Sequence, residues 1–121
     1  MTPLFTQYPK CTTCKRAKAW LESEGINFTD RHIVEEQPTL DELTTWWKAS
    51  GLPLKRFFNT SGIKYREMQL STKLPTMSEE EQLALLATDG MLVKRPILVT
   101  DKGVFPGFKE ANWKELLSYL P

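Results

Sequence analysis

Two thiols, Cys11 and Cys14, stand two residues apart in the segment Tyr8-Pro9-Lys10-Cys11-Thr12-Thr13-Cys14-Lys15-Arg16. The chemistry such a pair can do is nucleophilic attack by one thiolate and capture of the resulting adduct by the second as a disulfide. The pair follows the apolar run Leu4-Phe5-Thr6 and precedes Ala17, Trp20 and Leu21, whose spacing predicts a helix. A cysteine in the first turn of that helix faces unpaired backbone N–H groups and the positive end of the helix dipole, which favour thiolate over thiol. Lys10, Lys15 and Arg16 are expected to push the same way, and Thr12 and Thr13 to present backbone and hydroxyl donors near the Cys11 sulfur, although exposed spacers would read identically. The plainer alternative is a pair of half-buried cysteines kept for packing in a reducing compartment.

The elements that must position the thiols are legible as patterns. Residues 4–8 read as a strand, residues 11–24 as a helix stopped by Gly25, and residues 27–33 as a second strand, so the thiols fall in the loop-to-helix turn of a βαβ unit. Thr39-Leu40-Asp41-Glu42 and Ser78-Glu79-Glu80-Glu81 both match the capping box and each predicts a helix start. The first of these helices carries Leu40, Leu43 and Trp47 at helical spacing, and the second Leu83, Leu86 and Ala87. Residues 54–58 and 65–70 read as short helical pieces separated by Gly62. The stretch from about 38 to 90 is therefore expected to be a helical insertion with every strand outside it. After Arg95-Pro96, residues 97–105 read as a hairpin in which Asp101-Lys102-Gly103 forms a three-residue turn, with Gly103 supplying a positive φ. Trp113, Leu116, Leu117 and Leu120 then mark a closing amphipathic helix.

Composition narrows the classes. The 121 residues suit one domain, 1–121, and 16 basic against 15 acidic residues leave a net charge of +1, with no sign of direct nucleic-acid or membrane binding. No apolar run is long enough to span a bilayer and no signal-like segment opens the chain, so a cytoplasmic protein is expected. Two cysteines and the lone His32 are too few for structural zinc or a secreted disulfide framework, so no bound metal is expected. His32 reads as a surface or partly buried residue, Trp46 and Trp47 as core, and Glu79 to Glu81 as first-turn charge complementing the helix dipole.

The thiol motif, the helical insert, Gly90-Met91-Leu92-Val93-Lys94-Arg95-Pro96-Ile97, Gly107-Phe108 and the closing helix together resemble the thioredoxin-like arsenate reductase family, which also includes the Spx transcriptional regulators. The resemblance covers essentially the whole chain. It implies a thioredoxin-like (glutaredoxin-like) α/β fold with a mixed four-stranded sheet flanked by helices. It further implies a thiol-dependent oxidoreductase in which Cys11 attacks arsenate or a disulfide, and Cys14 or glutathione resolves the adduct. Arg95 matches a family arginine that holds the oxyanion, for which a planar bidentate donor suits a tetrahedral anion. Pro96 matches the cis-proline that such folds place beside the active thiol. The implied reductant is glutathione with glutaredoxin, or thioredoxin, and no cofactor is bound. Two further anion-binding arginines of the family are not evident: Asn59, Thr60 and Ser61 occupy one region and Phe108-Lys109 the other. Each missing charge-assisted hydrogen bond is worth roughly 1.5–3 kcal/mol. Lys55, Arg56, Lys64 and Arg66 are the cations that the insert could bring over the thiols. The alternative implied by the same resemblance is a regulator in which a Cys11–Cys14 disulfide switches binding to RNA polymerase. Lys48-Ala49-Ser50-Gly51-Leu52-Pro53 lacks the acidic and arginine-containing polymerase-contacting loop typical of Spx.

Overall fold

Along the strand Ile97-Leu98-Val99-Thr100 every residue is buried, and alternate side chains enter different cores, which is what a strand covered by helices on both faces requires. This strand, β3 (Ile97–Thr100), pairs antiparallel with β1 (Leu4–Gln7) on one side and with β4 (Gly103–Pro106) on the other. β1 pairs parallel with β2 (Thr29–His32), giving the order β2-β1-β3-β4. The computed structural model describes residues 2–120. Helices α1 (Thr12–Ser23), α2 (Leu40–Ser50), α3 (Ile63–Glu67), α4 (Leu70–Lys73), α5 (Glu79–Leu86) and α6 (Glu110–Leu117) complete it, with short 3-10 turns at Leu54–Phe57, Leu74–Thr76 and Gly90–Leu92. The mixed four-stranded sheet between helices is the thioredoxin-like fold that the resemblance implies.

On one face Phe5, Leu98 and Phe105 pack against Ala17 and Leu21 of α1 and Trp113 and Leu117 of α6. On the other, Ile97, Val99 and Val104 pack under Leu43 and Trp46 of α2, Leu83 and Leu86 of α5, and Phe57 and Phe58. Each fully buried large side chain, such as Trp113 or Phe5, contributes roughly 1.5–3 kcal/mol. Between β2 and β3 the regular elements are helices and 3-10 turns, apart from an isolated bridge, Phe58 to Val93.

Local signals hold where they depend on neighbours in sequence. Both capping boxes form, Thr39 with Glu42 and Ser78 with Glu81. Gly25 at φ +68° closes α1 with the paired bonds of Ile26 N–H to the Leu21 carbonyl and Gly25 N–H to the Glu22 carbonyl. Four expectations are corrected. Cys11 caps α1 rather than opening its first turn. The hairpin loop is the two residues Asp101-Lys102, because Gly103, at φ +153°, already pairs with Thr100 as the first residue of β4. The segment 65–70 is not one piece, since Gln69 in the left-handed region (φ +54°) separates α3 from α4. In α2 the core-facing residues are Leu43 and Trp46, while Leu40 is exposed and Trp47 is half-buried, its indole N–H donating to the Leu52 carbonyl at 3.0 Å. The buried stripe is rotated because β4 and α5 together cover α2, a tertiary matter that helical period alone does not reveal.

Candidate active site

β1 delivers the chain to a turn in which the Cys11 N–H donates to the Tyr8 carbonyl at 3.0 Å, with Pro9 at the position whose fixed φ favours such turns. The turn places Cys11 as the N-cap of α1 with extended backbone (φ −87°, ψ 123°), and its sulfur accepts the Cys14 backbone N–H at 3.4 Å. A sulfur thus takes the place usually filled by a Ser or Asp oxygen, among the unpaired donors at a helix start. Cys11 is half-buried, Cys14 is buried, and both are free thiols.

Opposite them, Arg95 precedes Pro96 through a cis peptide bond. Its guanidinium carbon lies 5.0 Å from the Tyr8 ring centroid, its Nη1 lies 3.9 Å from the Met91 sulfur, and its charge is near enough to Cys11 to favour the thiolate there. Tyr8 in turn meets the His32 ring edge-on at 5.7 Å, and His32 Nδ1 accepts the N–H groups of Val34 and Glu35, both at 3.1 Å. His32 therefore caps the turn after β2 and backs the tyrosine. The Gly107 N–H donates to the Pro96 carbonyl at 2.7 Å, and the Gly107 carbonyl accepts the Trp113 indole N–H at 2.9 Å, which fastens the proline loop to α6.

The electrostatics separate the two thiols. Burial pushes Cys11 up, but the hydrogen bonds from Cys14 and from Arg95, together with the Arg95 charge, outweigh it and leave Cys11 below the ordinary thiol value. Burial pushes Cys14 up to about 12, and the hydrogen bond to Cys11 and the negative charge there add to the rise. One sulfur is thereby prepared as a nucleophile, while the other is held protonated as long as its neighbour is charged.

The sequence-selected residues divide accordingly. Cys11, Cys14 and Arg95 are brought together, with Pro96 alongside. Lys10, Lys15 and Arg16 are exposed and are not among the groups acting on Cys11, whose pKa is lowered by Cys14 and Arg95 instead. Thr12 and Thr13 occupy the first two positions of α1, and the donor to the sulfur is the Cys14 N–H one residue further on. Of the cations in the insert, Lys64 is ion-paired with Asp89. Asn59 and Ser61 line a cleft of about 420 Å³ with Ile63, Lys64, Met91 and Arg95. Phe108 meets the Trp113 ring edge-on at 4.9 Å, and Lys109 is an exposed residue at the N-cap of α6. Sequence reasoning missed Tyr8 and Met91 as the supports of Arg95. An aromatic residue three positions before a cysteine carries no signal of a contact to a residue 87 positions away. Among the described residues no three His, Cys, Asp or Glu side chains converge as a metal-ligand set, and no helix is long and apolar enough to cross a membrane.

Known proteins resemble this chain along nearly its whole length. The model of the ArsC family matches residues 6–116. The uncharacterized protein YusI of Bacillus subtilis is 52% identical over 115 residues, 95% of this chain and 98% of that one. The global transcriptional regulator Spx of Staphylococcus epidermidis is 30% identical over 121 residues, 100% of this chain and 88% of that one. The crystal structure of an ArsC family related protein from Bacteroides fragilis superposes with a TM-score of 0.93 at 57% identity, covering 96% of this chain and 98% of that one.

Proposed function

Because the chain belongs to the ArsC family, we propose that it is a thiol-dependent oxidoreductase of the arsenate reductase type, with Cys11 as nucleophile, Cys14 or glutathione as resolving thiol and Arg95 as the group that holds the thiolate and the substrate anion. The observation that carries the reading is the geometry of the thiol pair, with Cys11 half-buried as the N-cap of α1, its sulfur accepting the Cys14 N–H at 3.4 Å, and a second, buried free thiol at Cys14.

With a disulfide, the Cys11 thiolate attacks one sulfur, forms a mixed disulfide and expels the other half as a thiolate. Loss of the negative charge on Cys11 removes one of the influences that hold Cys14 protonated. Cys14 then gives up its proton and attacks the Cys11 sulfur, releasing the second half as a thiolate and leaving a Cys11–Cys14 disulfide. With arsenate, the thiolate displaces one oxygen as water, and a second thiol attacks the Cys11 sulfur. The electron pair of the S–As bond stays on arsenic, so arsenic(V) becomes arsenic(III) while two thiols become one disulfide. Glutathione with glutaredoxin, or thioredoxin, returns the protein to the dithiol.

The test is NADPH oxidation dependent on arsenate or on a disulfide, coupled separately to the two recycling systems, with wild type, Cys11→Ser and Cys14→Ser. Turnover abolished by Cys11→Ser is the expected result. Inertness toward both substrates in both systems would remove the enzymatic reading.

A second reading, a redox-switched regulator engaging RNA polymerase, is favoured by the full-length similarity to Spx. A pull-down with the carboxy-terminal domain of the RNA polymerase α chain, using reduced and oxidised protein, decides it. Absence of capture in either state would eliminate it.

A further inference from the structure

Beyond the thiols, the folded chain gathers positive charge at one place without compensating it. Lys55, Arg56 and Lys94 line a second cleft, of about 400 Å³, together with Pro53, Phe58 and Thr60. No carboxylate is part of that lining, and none of the ion pairs among the described residues includes the three cations. They come from two segments nearly forty residues apart in sequence, joined by the Phe58 to Val93 bridge and by two backbone bonds of 2.8 Å, Lys94 N–H to the Phe57 carbonyl and Asn59 N–H to the Leu92 carbonyl. The Arg56 guanidinium is held over the Phe105 ring at 5.7 Å. Lys55 and Arg56 are exposed and Lys94 is half-buried, so an anion can reach all three from solvent.

The Lys94–Arg95 peptide links this cleft to the one that Arg95 lines. Side chains alternate along the joined segments, so Asn59, Ser61 and Arg95 line the first cleft, which takes in the arginine that acts on Cys11, and Thr60 and Lys94 line the basic one. The Lys94 side chain runs beside Gly107, where an added Cβ would stand 3.4 Å from its Cε, and the Gly107 N–H is bonded to the Pro96 carbonyl. Lys94 therefore lies along the same loop junction as the proline next to Arg95.

Resting on the reading of the thiols as an oxidoreductase site, we propose that Lys55, Arg56 and Lys94 form a phosphate-binding site for the non-reacting part of the substrate, and that the substrate class is a phosphate-bearing low-molecular-weight disulfide. Three cations with a hydroxyl at Thr60 and no carboxylate suit a doubly charged tetrahedral group, for which Arg56 supplies a planar fork and the lysines supply point charges. The reacting sulfur is exchanged at Cys11 by the two displacements given above, and the phosphate end takes no part in the covalent steps.

Two disulfides with the same reacting group test this at low ionic strength: coenzyme A disulfide, which carries phosphates, and pantethine, which does not. Wild type is expected to show a kcat/KM about tenfold higher for the phosphorylated compound. The ratio should fall toward one in Lys55→Gln/Arg56→Gln/Lys94→Gln, with a partial fall in Lys94→Gln alone in case the triple variant folds poorly. The ratio cancels any general change in thiol reactivity. In parallel, inorganic phosphate added to the wild-type protein should shift the backbone amide resonances of Lys55, Arg56 and Lys94. Equal rates for the two disulfides in wild type would overturn the substrate assignment, leaving free phosphate as the occupant if the resonances move. Absence of phosphate shifts together with equal rates would overturn the site. Failure of both disulfides to react at Cys11 would instead sink the oxidoreductase reading, and the phosphate titration would still decide the site.

Discussion

The backbone N–H of Cys14 points at the sulfur of Cys11 from 3.4 Å, so the second thiol's own peptide stabilises the first thiol's charge. The same proximity puts the Cys11 charge against the Cys14 sulfur and helps hold it protonated. In the proposed reaction this one contact sets the order of events, with Cys11 reacting first and Cys14 following once that charge is gone.

A direct consequence concerns the stoichiometry of an aromatic disulfide reagent such as 5,5′-dithiobis(2-nitrobenzoate). Wild type is expected to release two equivalents of the coloured thiolate, the first on attack by Cys11 and the second as Cys14 closes the disulfide. Cys14→Ser should stop at one equivalent with a stable adduct visible by mass spectrometry. Cys11→Ser should react slowly at pH 7, because the remaining thiol is buried and protonated.

Arg95 supplies charge to Cys11 and is itself held by Tyr8 and Met91. Arg95→Gln should raise the apparent pKa of Cys11 and slow its alkylation by iodoacetamide at pH 7 on the order of tenfold, with rates converging at high pH where thiolate is abundant in both. Tyr8→Leu should act in the same direction and more weakly, through a contact worth about 0.5–1 kcal/mol. An unchanged alkylation pH profile in both variants would show that Arg95 does not set the thiolate.

Away from the thiols, the Arg31 guanidinium forms two bonds to Glu42 at 2.6 and 2.8 Å, while Glu42 also accepts the Thr39 N–H at 3.0 Å. Arg31, with help from Thr39, holds the carboxyl at about 2 against its ordinary 4.5. A depressed carboxyl stabilises the fold fully above its unfolded value, and the contribution is lost as the pH falls from about 4.5 through about 2. Glu42→Gln should therefore cost about 1 kcal/mol at pH 6, a modest figure because the pair is partly solvated, and almost nothing near pH 2. Urea midpoints at the two pH values check this.

Gly90 lies against the end of β2, and an added Cβ would stand 2.0 Å from the Ile33 carbonyl oxygen. Gly90→Ala must push the Gly90–Leu92 turn off that backbone, at roughly 1–3 kcal/mol. The same turn carries Met91, so thermal unfolding should shift down and Cys11 alkylation should slow together. A fully stable variant would contradict the contact.

What the sequence alone determined were features decided within one or two helical turns. They include the capping boxes of α2 and α5, the Gly25 stop of α1, and the placement of Cys11 and Cys14 at a helix start following a strand. These depend on hydrogen bonds between residues three to five apart, whose partners a linear reading already contains. The family motif added Arg95 and Pro96, which no local rule links to the thiols. Tertiary structure decided the rest, because contacts between distant segments depend on how the sheet orders them. It brought Tyr8 and Met91 to Arg95, turned Trp46 rather than Leu40 into the core, paired Lys64 with Asp89, and left Lys55, Arg56 and Lys94 together without a counter-charge. The exposed Lys10, Lys15 and Arg16 make the same point from the other side. Adjacency in sequence suggested that they charge the thiol, but all three are exposed to water, and the cation that acts on Cys11 comes from the loop before β3.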